Sequence, residues 1–107
     1  MISIMSGPDQ LSLLWAEHLH APFPPCLRGR DVDGEDMVSL DADIAGCVSA
    51  ALSGHLDERH HRILSRCLVA VASVLPLLGD DGGAVEYWER VQEMAVLVVR
   101  LGGVEIE

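Results

Sequence analysis

The chain contains no lysine, no asparagine and no threonine. Its seven basic residues are all arginines and face 17 acids, for a net charge of −10. Sequence-independent binding to nucleic acid needs a basic patch that neutralises phosphates, and this charge balance weighs against it. It weighs equally against an anionic membrane surface. Aromatic residues are scarce: Trp15, Phe23, Tyr87 and Trp88 are all there are. The cysteines, Cys26, Cys47 and Cys67, are odd in number and form no C-x-x-C. That argues against a disulfide framework and for a reducing compartment. The apolar run CLVAVASVLPLLG stops at thirteen residues, short of the roughly 20 that a bilayer crossing requires. The opening MISIMSGPD has neither a basic segment nor a long apolar run, so no signal peptide and a cytoplasmic location are expected.

What the chain does hold is aliphatic mass. Half of its 107 residues are hydrophobic, mostly Leu, Val, Ala and Ile, which suits packed helices. The length fits one domain, residues 1–107. The exclusive use of arginine and the abundance of alanine fit a GC-rich bacterial genome.

Spacing predicts four helices. The first runs from about Asp9 to His20, with Ser6, Gly7 and Pro8 as its cap and first turn, and Leu11, Leu14, Trp15, His18 and Leu19 in one stripe. Pro22, Pro24 and Pro25 stop it. An irregular connector follows over residues 21–38, long for a small domain; Phe23, between its prolines, is expected to act as a lid or staple on the helices. The second helix is expected over Asp41–Ser53, with Ile44, Cys47, Val48, Ala51 and Leu52 inward and the small Ala42, Gly46, Ser49 and Ser53 outward. Gly54 ends it. Asp57 caps the third, Glu58–Leu75, whose core stripe includes Ile63, Leu64, Cys67, Leu68, Val71 and Val74. Arg59, Arg62 and Arg66 lie roughly opposite. After GDDGG, the fourth helix spans Ala84–Leu101, with Tyr87, Trp88 and Val91 inward and Glu86, Glu89 and Glu93 outward. Its second half, MAVLVVRL, is apolar almost all round. Ile2 and Ile4 at one end, with Val104 and Ile106 at the other, leave room for a short ribbon. The expected fold is an all-α, four-helix up-and-down bundle with a long irregular connector between the first two helices.

Three groupings could carry chemistry. The stretch DVDGEDMVSLDAD, residues 31–43, holds six carboxylates. An EF-hand is rejected, because with Gly34 in the sixth position of the loop the first and twelfth ligand positions fall on Gly29 and Leu40. Asp41 and Asp43 suit the N-terminus of the second helix. The remaining acids form either a solvated turn or a partner for the Arg59, Arg62 and Arg66 stripe, within one chain or across a dimer. Second, His18, His60 and Cys67, with Trp15 and Trp88, could line a pocket for a small ligand or a metal. No H-x-x-x-H, C-x-x-C or H-E-x-x-H pattern supports zinc there, and no metal or other cofactor is expected. Third, the aromatics at helical spacing fit a core. No nucleophile has a base beside it: His60 and Cys67 lie roughly 10 Å apart along their helix.

The reading is therefore a non-enzymatic acidic protein acting through protein–protein contacts, as a regulatory, adaptor or inhibitor (immunity-type) subunit. It would pair as a homodimer and could meet a partner with a basic surface. The interface is expected near Val69, Val96 and Leu97, rimmed by Arg59, Arg62 and Arg66, because apolar residues off the core stripes need cover. The alternative is a bundle that binds a small ligand or metal at Trp15, His18, His60, Cys67 and Trp88.

Overall fold

Four amphipathic segments separated by glycine and proline can bury their apolar stripes only against one another, and a computed structural model shows this arrangement. The structure describes residues 7–79 and 83–102. Helix α1 spans Gly7–His20, α2 Met37–Leu52, α3 Glu58–Val74 and α4 Ala84–Gly102. Each runs opposite to the one before it. The end of α1 meets the starts of α2 and α4 at His18, Asp41 and Tyr87, and Gln10 near the start of α1 reaches Glu93 farther down α4. The up-and-down bundle is thus present. It is flattened, 37 × 36 × 21 Å, because α2 and α4 approach across one diagonal. The expected cap at Ser6, the GDDGG acids Asp80 and Asp81, and the ribbon of Ile2, Ile4, Val104 and Ile106 lie outside the described residues. No helix among the described residues is long and apolar enough to cross a membrane.

The connector is more ordered than its composition suggests. Pro25–Leu27 forms a 3₁₀ turn that sinks Leu27 into the core. Two short strands follow, β1 at Asp31–Val32 and β2 at Glu35–Asp36, antiparallel with Val32 opposite Glu35. Asp33 and Gly34 sit between them with φ of 53° and 79°. Positive φ at both central residues is the signature of a type I′ turn, which favours Asp-Gly because few other pairs tolerate that backbone. The D-x-D-G that resembles part of a calcium loop is therefore a hairpin turn.

This shifts the start of α2. The Asp36 carboxylate accepts from Val38 N at 3.1 Å and Ser39 N at 3.3 Å, capping the helix at Met37. The expectation that Asp41 and Asp43 serve the N-terminus is corrected: they lie about one and nearly two turns inside α2, Asp41 turned towards α1 and α4 and Asp43 towards α3. At the other end Gly54 takes φ +77°. His55 N donates to Ala50 O and Gly54 N to Ala51 O, the paired bonds of a Schellman stop. Asp57 caps α3 as expected, accepting from His60 N at 3.0 Å.

Helix α4 packs against all three others, and this accounts for its apolar second half. Met94, Ala95, Leu97 and Val98 are all buried within the single chain. The three neighbouring helices cover most of this stretch, and Val99 and Leu101 near its end stay exposed. The expectation that Leu97 lies off the buried stripe is corrected: it is 7% exposed and turned towards α1.

Candidate functional site

The densest polar group in the interior lies where α1 ends and α2 and α4 begin. The His18 side chain is buried. Its Nε2 lies 3.1 Å from Asp41 Oδ1, a close polar contact that does not count as a hydrogen bond. The Tyr87 hydroxyl donates to Asp41 Oδ2 at 2.9 Å and lies 3.4 Å from His18 Nε2. Burial pushes the Tyr87 phenol above its ordinary range, and the adjacent Asp41 carboxylate pushes it the same way. Tyr87 is therefore held as a neutral donor to Asp41.

All four aromatic residues of the chain close around this group. Trp15 stacks on His18 with ring centroids 5.8 Å apart. Phe23 meets Tyr87 at 5.6 Å and Trp88 at 6.4 Å, edge to face. Arg28 covers Phe23 and Arg90 covers Tyr87, both at cation–π distance. Phe23 is thus the staple that ties the proline-rich connector to α4. Such edge-to-face pairs contribute about 0.5–1.5 kcal/mol each beyond the area they bury. The arrangement locks α1, the connector and α4 together. Trp88, packed against Phe23 and Tyr87, has no exposed surface.

The five residues expected to share a pocket are divided by the structure. Trp15, His18 and Trp88 belong to this cluster. His60 instead pairs with the cap of its own helix, Nδ1 lying 2.7 Å from Asp57 Oδ1. Its carbonyl accepts from the Cys47 thiol at 3.5 Å. The backbone and side-chain hydrogen bonds from His60 hold the Asp57 carboxyl below its ordinary value. Cys67 is buried beside α2. The single pocket is corrected to two separate polar groups, one at each end of α2. Among the described residues no group of three or more His, Cys, Asp or Glu side chains is placed to hold a metal ion.

The basic stripe is met by other acids than the expected ones. Arg66 reaches Asp43 at 3.2 Å, and Arg62 approaches Glu58 at 3.9 Å along α3. Both pairs are exposed, where such contacts contribute under about 1 kcal/mol. The carboxylate that answers Arg66 comes from within α2 and not from the hairpin. Val69, on the same outward side of α3, is 70% exposed. Val96 is half-buried and lines a groove against α1 with Leu97. Val69 and the Val96–Leu97 pair therefore belong to different faces, because α1 takes the side of α4 on which Leu97 lies. The small-residue side of α2 is open: a Cβ added at Gly46 would meet nothing within 4 Å.

The cysteines yield one direct test. Burial raises the Cys47 thiol, with Asp43 and Asp57 adding to it, and raises Cys67 to about 11 from an ordinary 9.0. Both are expected to resist a thiol reagent in the folded chain at pH 8, while the exposed Cys26 reacts promptly. A raised folded-state value means that the contribution of Cys67 to stability is intact below pH 9 and disappears as pH climbs towards 11. Labelling at pH 8 followed by mass mapping checks the first statement, and an alkaline melting series checks the second. Fast labelling of Cys67 at pH 8 would contradict both.

No protein-family model matches the chain, and comparison with curated proteins and with solved structures found no match. The class defined by the fold is an all-helical bundle.

Proposed function

We propose that the chain is a small acidic, non-enzymatic protein that acts by contact with other proteins, as a regulatory, adaptor or inhibitor-type subunit, and that it pairs with itself. The carrying observation is the outward side of α3. Val69 is 70% exposed, and Leu77, in the 3₁₀ turn Leu75–Leu77 that continues α3, is 60% exposed. Ala72, between them in sequence, is also exposed, and Arg66 and Arg62 lie one and two turns before Val69 on its side of α3. Apolar side chains grouped along one helix and edged by arginine have the character of a protein interface. A two-fold axis near Val69 would lay α3 of one chain against α3 of the other and cover the patch in both.

The test is Val69→Glu, which places a carboxylate at the centre of the patch without touching the core. The native chain is expected to sediment as a dimer at high micromolar concentration, and the variant as a monomer with an unchanged helical circular dichroism spectrum. A native monomer under those conditions, or a variant that still dimerises, would show the α3 patch not to be a self-association surface.

A further inference from the structure

The acids of this protein are not evenly used. On the α2–α3 side Asp36 and Asp57 cap helices, Asp41 holds Tyr87 and His18, Asp43 meets Arg66 and Glu58 approaches Arg62. Along the seam between α1 and α4 the pattern is different. Glu17 of α1 and Glu86, Glu89 and Glu93 of α4 are all exposed, and among the described residues none of them forms an ion pair. Gln10 alone reaches Glu93, at 3.4 Å. The three α4 glutamates follow one another at helical spacing on one side, where like charges repel.

These carboxylates border a groove. It has two lobes, of about 390 and about 270 Å³, joined at Glu89 and Glu93. Leu14 contributes to one lobe, and Val96 and Leu97 to the other, so apolar side chains underlie acidic walls. From Glu86 to Arg100 the groove follows α4 for roughly 21 Å, at 1.5 Å per residue. Two arginines also line it. Arg90 is drawn in over the Tyr87 ring at 5.7 Å, and Arg100 stands at the far end, so the middle stays negative. The carboxylates are strung along a line and do not converge, in keeping with the absence of any metal-holding group among the described residues.

We infer that the α1–α4 groove is a docking site for a basic amphipathic helix of a partner protein. Charge complementarity selects the occupant. Lysine or arginine at successive turns of a helix laid along the seam matches the spacing of Glu86, Glu89 and Glu93. Leucine-like residues on the same side reach the apolar floor, as in other helix-in-groove recognition. A second copy of this chain is the poorer occupant of this groove, because the chain has no lysine and Arg62 and Arg66 of its exposed α3 side already meet Glu58 and Asp43. The inference deepens the proposed function by naming a partner's chemistry. It rests on the reading of the chain as a protein-binding module and is independent of the α3 patch.

The test uses the full chain and a fluorescein-labelled 18-residue helical peptide of leucine and lysine in amphipathic order, followed by anisotropy. A scrambled peptide of the same composition serves as control. Two variants each remove three negative charges: Glu86→Gln/Glu89→Gln/Glu93→Gln in the groove and Asp31→Asn/Asp33→Asn/Glu35→Gln on the hairpin. The groove variant is expected to bind the amphipathic peptide at least about tenfold more weakly than the native chain, the hairpin variant less than about threefold more weakly, and binding should weaken steeply as salt is raised. Equal losses in the two variants would reduce the effect to net charge and overturn the proposal, as would equal affinity for the scrambled peptide or no binding of either peptide. None of these results alters the sedimentation of native and Val69→Glu chains, so the failure of this inference and the failure of the dimer are read separately.

Discussion

Trp88→Ala is expected to destabilise the protein by about 3–5 kcal/mol, the range for deleting a fully buried large aromatic side chain. Trp88 has no exposed surface, and Phe23 and Tyr87 both pack edge-on against it. Removing the indole opens a cavity at the point where the connector, α1 and α4 are tied together. A domain of this size has about 5–15 kcal/mol of stability in total. The loss therefore takes about a fifth of that or more, and the melting temperature should fall by well over about 10 °C. Trp88→Phe keeps an aromatic ring in the cluster and should lose much less. Thermal and urea melts of the two variants decide the matter. A Trp88→Ala chain that melts within a few degrees of the native protein would mean that the cluster contributes little.

Asp41→Ala is the second large effect. It takes the acceptor from the Tyr87 hydroxyl and the carboxylate from His18 Nε2, both of them in the interior. Each buried polar group left without its partner costs about 1–3 kcal/mol. Asp41→Asn should be milder, because its amide oxygen can still accept from Tyr87 and its NH₂ can face the imidazole. The damage should be local. Among the described residues, only this group ties the end of α1 to both α2 and α4 through polar contacts. Amide hydrogen exchange should therefore show α1 losing protection while α3 keeps most of its own. Uniform loss over all four helices would show that α1 is an inseparable part of the core.

The structure also separates what was legible in the chain from what was not. The helices were legible because apolar spacing of 3.6 is a local property: α3 and α4 begin where expected and end within one residue of expectation. The start of α2 was misplaced by four residues. Any of the clustered aspartates could have capped it, and the Asp-Gly pair between Val32 and Glu35 is the hairpin signal that would have chosen Asp36. His18 stood out as a polar residue in an apolar stripe. Its partners Asp41 and Tyr87 are 23 and 69 residues away, a pairing that depends on how the helices turn about their axes. For the same reason one pocket became two groups: a rotation of α3 sends His60 to its own cap and Cys67 towards α2. The apolar second half of α4 is a local signal of burial. Nothing local shows that α1, α2 and α3 all reach it, so Leu97 was assigned to the outside. The glutamates of α4 were legible as an exposed row, but the groove beside them needs α1 and could not be foreseen.

The central claim is that this protein works through its outside, with the His18, Asp41 and Tyr87 group serving to hold the helices. The most direct measurement is a concentration series of ¹H–¹⁵N spectra on the labelled native chain, from tens of micromolar to about one millimolar. Self-association at the α3 patch predicts progressive shifts at Arg62, Ser65, Val69, Ala72 and Leu77, while resonances of Trp15, His18 and Tyr87 stay still. Shifts confined to the Trp15, His18 and Tyr87 group, or spectra unchanged across the whole range, would contradict it.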